Sequence, residues 1–143
     1  MIKKLCLKKV AVALAAVVLI GTMNISASAS NDNYGFEFTL KANSKSSYSG
    51  KRYRQTKKTD NKWKVDFTYS AEGAGTKAIF WLAKNNLDRT IVSKQVTIKQ
   101  GSGPKLNDAE TGASRTDVRL GTKNNNNVSN TYKVSGYWDE ETN

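Results

Sequence analysis

The chain has 143 residues, 23 Lys+Arg against 12 Asp+Glu, no histidine and a single cysteine, for a formal net charge of +11. Without histidine, neither a Ser-His-Asp nor a Cys-His nucleophile pair can be assembled, and one cysteine cannot supply the usual His/Cys ligand set for zinc or copper. What remains for chemistry is carboxylate, Lys, Tyr and Ser on a chain sized for a single domain.

Residues 1–29 divide into a cationic start (Lys3, Lys4, Lys8, Lys9), an unbroken apolar run from Val10 to Ile20, and the small residues Ala27-Ser28-Ala29. This is the pattern of a secretory signal peptide, with cleavage expected between Ala29 and Ser30. The apolar run is well short of the about 20 residues a spanning helix needs. Cys6 precedes that run, whereas an acylated cysteine would follow it, so no lipid anchor is expected. Cleavage would leave residues 30–143 as a single mature domain with no thiol and a net charge of +7. That domain would rely on core packing alone, which its length allows. The closing YWDEETN carries no apolar tail or wall-sorting pattern, so a secreted product, released or held non-covalently at the wall, is expected.

Alternation with a period of two recurs through the mature part, and it marks half-buried strands. In FEFTLKA, Phe36, Phe38, Leu40 and Ala42 are expected to face inward. In WKVDFTY the inward set is Trp63, Val65, Phe67 and Tyr69. Thr76–Lys84 (TKAIFWLAK) is apolar on both faces and reads as a central strand or a short helix, its aromatic content favouring strand. VSKQVTI places Val92, Val96 and Ile98 inward with Lys94 at an edge. Thr116, Val118 and Leu120 follow, then Tyr132, Val134 and Trp138, with Gly136 a bulge or close-approach point. Asn, Asp and Gly clusters separate these runs, the last spanning Lys123 to Asn127, and supply turn chemistry. The expected fold is all-β: an antiparallel sandwich or small barrel of about six to eight strands.

The densest feature is residues 51–64, KRYRQTKKTDNKWK. From Lys41 to Lys64 there are nine cations against Asp60 alone. Such a lobe attracts polyanions, with affinity falling as salt rises. In an extended chain Arg52 and Arg54 would share an outer face, with Tyr53 turned inward; Lys62 and Lys64 would likewise flank an inward Trp63. Inward aromatics argue against a base-stacking platform, so no specific nucleic acid is expected. The candidate contacts to an anionic polymer or partner are Lys51, Arg52, Arg54, Lys57, Lys58, Lys62 and Lys64. Asp66 and Glu72 are an imaginable hydrolytic pair. Asp139-Glu140-Glu141 reads as a frayed acidic end in preference to a calcium site. No metal, cofactor or catalytic residue is assigned, and the mature form is expected to lack a membrane span.

The strings GFEFTLKANSKSSYSGKRYRQTKKTDNKWKV, GTKAIFWLAK, TDVRLGTKNN and YKVSGYWDEET resemble a family of small secreted proteins of Gram-positive bacteria, catalogued as a domain of unknown function. The resemblance implies export towards a wall rich in anionic polymers and carries no catalytic residues. In size and organisation the chain is also similar, more distantly, to secreted bacteriocin-like proteins, although none of their motifs is present. The expected activity is therefore non-enzymatic contact with an anionic envelope polymer or partner. A bacteriocin-like antagonist is the alternative, and a carboxylate-based hydrolase the third reading.

Overall fold

A computed structural model describes residues 31–142 of the chain; the expected signal segment and its Ala29–Ser30 junction lie outside the described residues. Among the described residues nine strands follow one another: β1 (Tyr34–Leu40), β2 (Ser47–Tyr48), β3 (Arg52–Arg54), β4 (Trp63–Ser70), β5 (Lys77–Lys84), β6 (Val96–Lys99), β7 (Lys105–Asn107), β8 (Thr116–Asn124) and β9 (Tyr132–Asp139). A single turn of 3-10 helix, Thr111–Ala113, precedes β8. Among the described residues no helix is long and apolar enough to cross a membrane.

The strands form two antiparallel sheets. One has the order β1-β9-β4-β7 and the other β2-β8-β5-β6, with β3 also on β8. The sheets remain separate, so of the two architectures expected it is the sandwich that forms. β2 pairs with β8 at Thr122 and Gly121, and β3 pairs with it at Val118 to Thr116. Between them, Ser49 donates its N–H to the Leu120 carbonyl and its Oγ accepts the Leu120 N–H. β2 and β3 are thus two halves of one edge strand, joined through a serine side chain.

The alternating residues meet between the sheets. Phe36, Phe38, Leu40, Trp63, Val65, Phe67, Val134 and Trp138 come from the first sheet, and Ala78, Phe80, Leu82, Ile98, Val118 and Leu120 from the second. Phe80 links the layers, its ring centroid 5.8 Å from Phe36 and 5.6 Å from Phe67 in tilted geometries that aromatic quadrupoles favour. The doubly apolar segment is the central strand β5, between β8 and β6. Its outward Trp81 is nevertheless buried. Gly121 on β8 leaves the space the ring fills, since a Cβ there would stand 2.4 Å from it, and Tyr48 meets it edge-on at 6.0 Å.

Four local expectations are corrected. The ladder to β5 starts at Val96; residues 91–93 make only isolated bridges, although Val92 is buried as expected. β8 runs through Asn124, so the Asn-rich turn begins at Asn125, two residues later than expected. Tyr69 points outward, because a bulge between Phe67 and Tyr69 adds one residue and reverses the alternation beyond it. Gly136 faces this bulge across the ladder, and a Cβ on it would fall 1.9 Å from the Asp66 carbonyl oxygen. In β3, finally, Tyr53 points outward and Arg54 inward.

Candidate functional site

Tyr53 is 52% exposed and Arg54 is 1% exposed, the reverse of the expected arrangement. The register explains the reversal. Arg52 and Arg54 stand opposite Val118 and Thr116, and Val118 belongs to the core, whereas Tyr53 stands opposite the outward Asp117. The two arginines therefore lean into the end of the sandwich, where the C-terminal segment supplies acid. Arg52 Nε donates to Glu140 Oε2 at 2.6 Å, and its guanidinium lies over the Tyr34 ring, 2.9 Å from the centroid. Arg54 donates to the backbone carbonyls of Glu140, Lys58 and Asn61. Burial holds its guanidinium pKa below the ordinary arginine value, an effect opposed by the nearby charges of Glu141 and Glu140.

The acidic end is therefore not frayed. Asp139, Glu140 and Glu141 are all buried. Both carboxylate oxygens of Glu141 accept backbone N–H groups, from Gln55 at 3.0 Å and Thr56 at 2.9 Å. Thr142 donates its N–H to the Lys62 carbonyl at 2.7 Å, and its hydroxyl donates to the same oxygen. Residues 139–142 thus form a strap across the base of the 55–62 loop, which otherwise lacks ladder partners. Asp139 is the strained member. Burial pushes its carboxyl up to about 6, and the adjacent Glu140 adds to this; the Glu141 and Asp32 N–H groups and the Lys64 ammonium oppose it.

With the arginines turned inward, the lysines form the outer surface of the loop. Lys57 and Lys58 are exposed on it. Lys51 pairs with Asp117 at 2.7 Å and Lys62 with Asp108 at 2.5 Å, both on the surface. Lys64 is half-buried on the outer side of β4 and bonds Asn31 Oδ1, while Trp63 is buried as expected. Lys58, Asp60, Asn61, Lys62, Leu106 and Thr142 line an open depression of about 430 Å³ at the foot of the loop. The seven candidate residues are therefore brought together, but in two roles: Arg52 and Arg54 as internal struts, and the five lysines around them.

Residues 23–142 match a family model described as a protein of unknown function, DUF2712. The chain belongs to this family. The DUF2712 region takes in both sheets and the strap, so the acids that hold the lysine loop lie inside the family domain. No curated protein and no solved structure matches the chain.

Two sequence-level pairings are not assembled as sites. Asp66 stands opposite Tyr137 on the outer side of the first sheet. Glu72 lies instead beside the Tyr132 hydroxyl, whose pKa is pushed up to about 12, chiefly by burial and further by that carboxylate. Positions 132 and 137 are separated by roughly 16 Å along a strand, so Asp66 and Glu72 do not flank a common bond. The carboxylates of Glu140 and Glu141 are directed at a guanidinium and at backbone N–H groups. Among the described residues no group of three His, Cys, Asp or Glu is arranged to hold a metal ion.

Sequence reasoning missed the strap and also the outward pair Tyr69 and Tyr137. The strap had one available signal: two arginines two residues apart in a strand, and a run of three acids elsewhere in a domain without cystines.

Proposed function

We propose that this protein is an exported, non-enzymatic β-sandwich of a Gram-positive bacterium that binds an anionic wall polymer through the lysines of its 51–64 segment. The observation that carries this reading is the strapped loop: the most cationic stretch of the chain is held to a rigid framework by Arg54 and Glu141. A pre-set array of Lys51, Lys57, Lys58, Lys62 and Lys64 meets a polyanion without the entropy cost of ordering a free loop. Lys51 and Lys62 rest on surface carboxylates in the meantime. Exposed pairs of this kind contribute about 0–1 kcal/mol, so a polymer phosphate can displace them. Arg52 and Arg54 fix the loop and do not touch the polymer.

The test is elution from purified cell wall under rising salt. Replacing Lys57, Lys58, Lys62 and Lys64 together by Gln is expected to move release to a clearly lower salt concentration. Retention of the quadruple variant at the wild-type salt concentration would refute the reading.

A further inference from the structure

The outer side of the first sheet differs chemically from the lysine loop. Tyr137 on β9 is 49% exposed and Tyr69 on β4 is 53% exposed. Tyr69 stands opposite Ser135 and Tyr137 opposite Asp66, so the two tyrosines are diagonal neighbours on one face. Positions related in this way are about 7–8 Å apart. Tyr69 reaches this face only because of the bulge at Thr68 and the glycine opposite it, and bulges commonly re-aim a side chain at functional sites.

Beside Tyr137 runs an open groove of about 370 Å³, lined by Gly35, Phe36, Glu37, Thr68, Ser135 and Gly136 as well. Gly35 pairs directly with Tyr137 and is exposed, and a Cβ built on it would meet nothing within 4 Å. The groove exists because that position has no side chain. Its side-chain polar groups are hydroxyls and the Glu37 carboxylate, with the Lys133 ammonium at the rim. Glu37 is paired with Lys133 at 3.3 Å on the surface, while the Asp66 carboxylate makes no hydrogen bond or ion pair among the described residues. The uncompensated Asp66 carboxylate, opposite Tyr137, disfavours a polyanion on this face. A long apolar partner is equally unsuited, since carboxylates and hydroxyls interrupt the two rings.

We propose that this face binds a neutral glycan whose sugars are joined equatorially. Such chains are flat ribbons. The C–H faces of their pyranose rings pack on aromatic rings, and their hydroxyls donate to carboxylates at the rim. Tyr137 and Tyr69 form the platform, Asp66 and Glu37 accept sugar hydroxyls, and the gap at Gly35 admits the edge of a ring. This second surface acts independently of the lysine loop, and the two together would read different parts of a wall.

The probes are sacculi stripped of anionic polymers, in about 0.5 M salt where exposed charge contacts are screened, and a soluble β-1,4-linked N-acetylglucosamine tetramer. Wild-type protein is expected to co-sediment with the sacculi and to be displaced by the tetramer. Tyr137→Ala and Tyr69→Ala should each weaken binding by roughly tenfold. Gly35→Val should block the groove without lowering the melting temperature, because a Cβ there meets nothing and a β-branched residue suits a strand. The quadruple lysine variant should bind stripped sacculi normally. Absence of wild-type binding would overturn the proposal. So would full binding by Gly35→Val, or a Tyr137→Ala variant that is less stable but binds unchanged, which would mark Tyr137 as mere cover for the glycine.

Discussion

Arg54 and Asp139 show how burial changes what a charged side chain does. Arg54 could have been a surface cation, yet its guanidinium satisfies three carbonyls that the loop and strap would otherwise leave without donors. Its planar fork reaches several acceptors at once, and the ammonium of lysine cannot reproduce that geometry. Arg54→Lys is therefore expected to cost on the order of 2–4 kcal/mol in urea unfolding. Arg52→Lys, at a partly exposed ion pair, should cost about 1 kcal/mol or less. Asp139 has the opposite sign. Its ordinary carboxyl value of 3.8 is raised to about 6 in the fold, so the native state retains a proton that the unfolded chain has released. The penalty is absent below pH about 4, grows as pH rises to about 6, and then levels off at no more than roughly 3 kcal/mol. Asp139→Asn can still accept the Glu141 N–H and should raise the melting temperature at pH 7.5 but not at pH 4. An equal effect at both values would contradict the account.

At the scale of the elements, the glycines distinguish room from contact. Gly136→Ala would drive a Cβ into the Asp66 carbonyl opposite the bulge, and the ladder of β4 and β9 cannot shift without moving every inward residue beyond it. Loss of more than about 3 kcal/mol, or failure to fold, is expected. Gly35→Ala on β1 meets nothing and should gain about 0.5–1 kcal/mol. Thermal unfolding of the two single variants checks both. The period-two pattern made β1, β4, β8 and β9 legible in the sequence, including the inward Trp63, Val134 and Trp138, and aromatic content favoured a strand for β5. It failed at Tyr69 because a single inserted residue inverts the faces and leaves no mark on composition. It could not show β2 and β3 either, since two or three residues are too few to display a period. The strap was hidden for another reason. Glu141 and Gln55 are 86 positions apart, and no local pattern reports such a contact.

For the whole molecule, charge separation follows from topology. Antiparallel pairing brings the end of β9 beside β4, which carries the acids that follow β9 to the base of the loop between β3 and β4. In a domain without cystines this strap closes the chain much as a cross-link would, and it spends the arginines internally while the lysines stay outward. The face formed by Tyr69 and Tyr137 belongs to the first sheet and shares no side chain with the strap. Salt-dependent and salt-independent retention should therefore be separable by substitution.

The strap is the centre of the account, and native-state hydrogen exchange at the Gln55 and Thr56 amides tests it most directly. These amides lie outside any strand and bond only to the Glu141 carboxylate. They are predicted to exchange far more slowly than the exposed amides of the same loop, and to lose that protection in Glu141→Ala while the β4 and β9 amides keep theirs. Exchange of Gln55 and Thr56 at free-loop rates in the wild-type protein would contradict it.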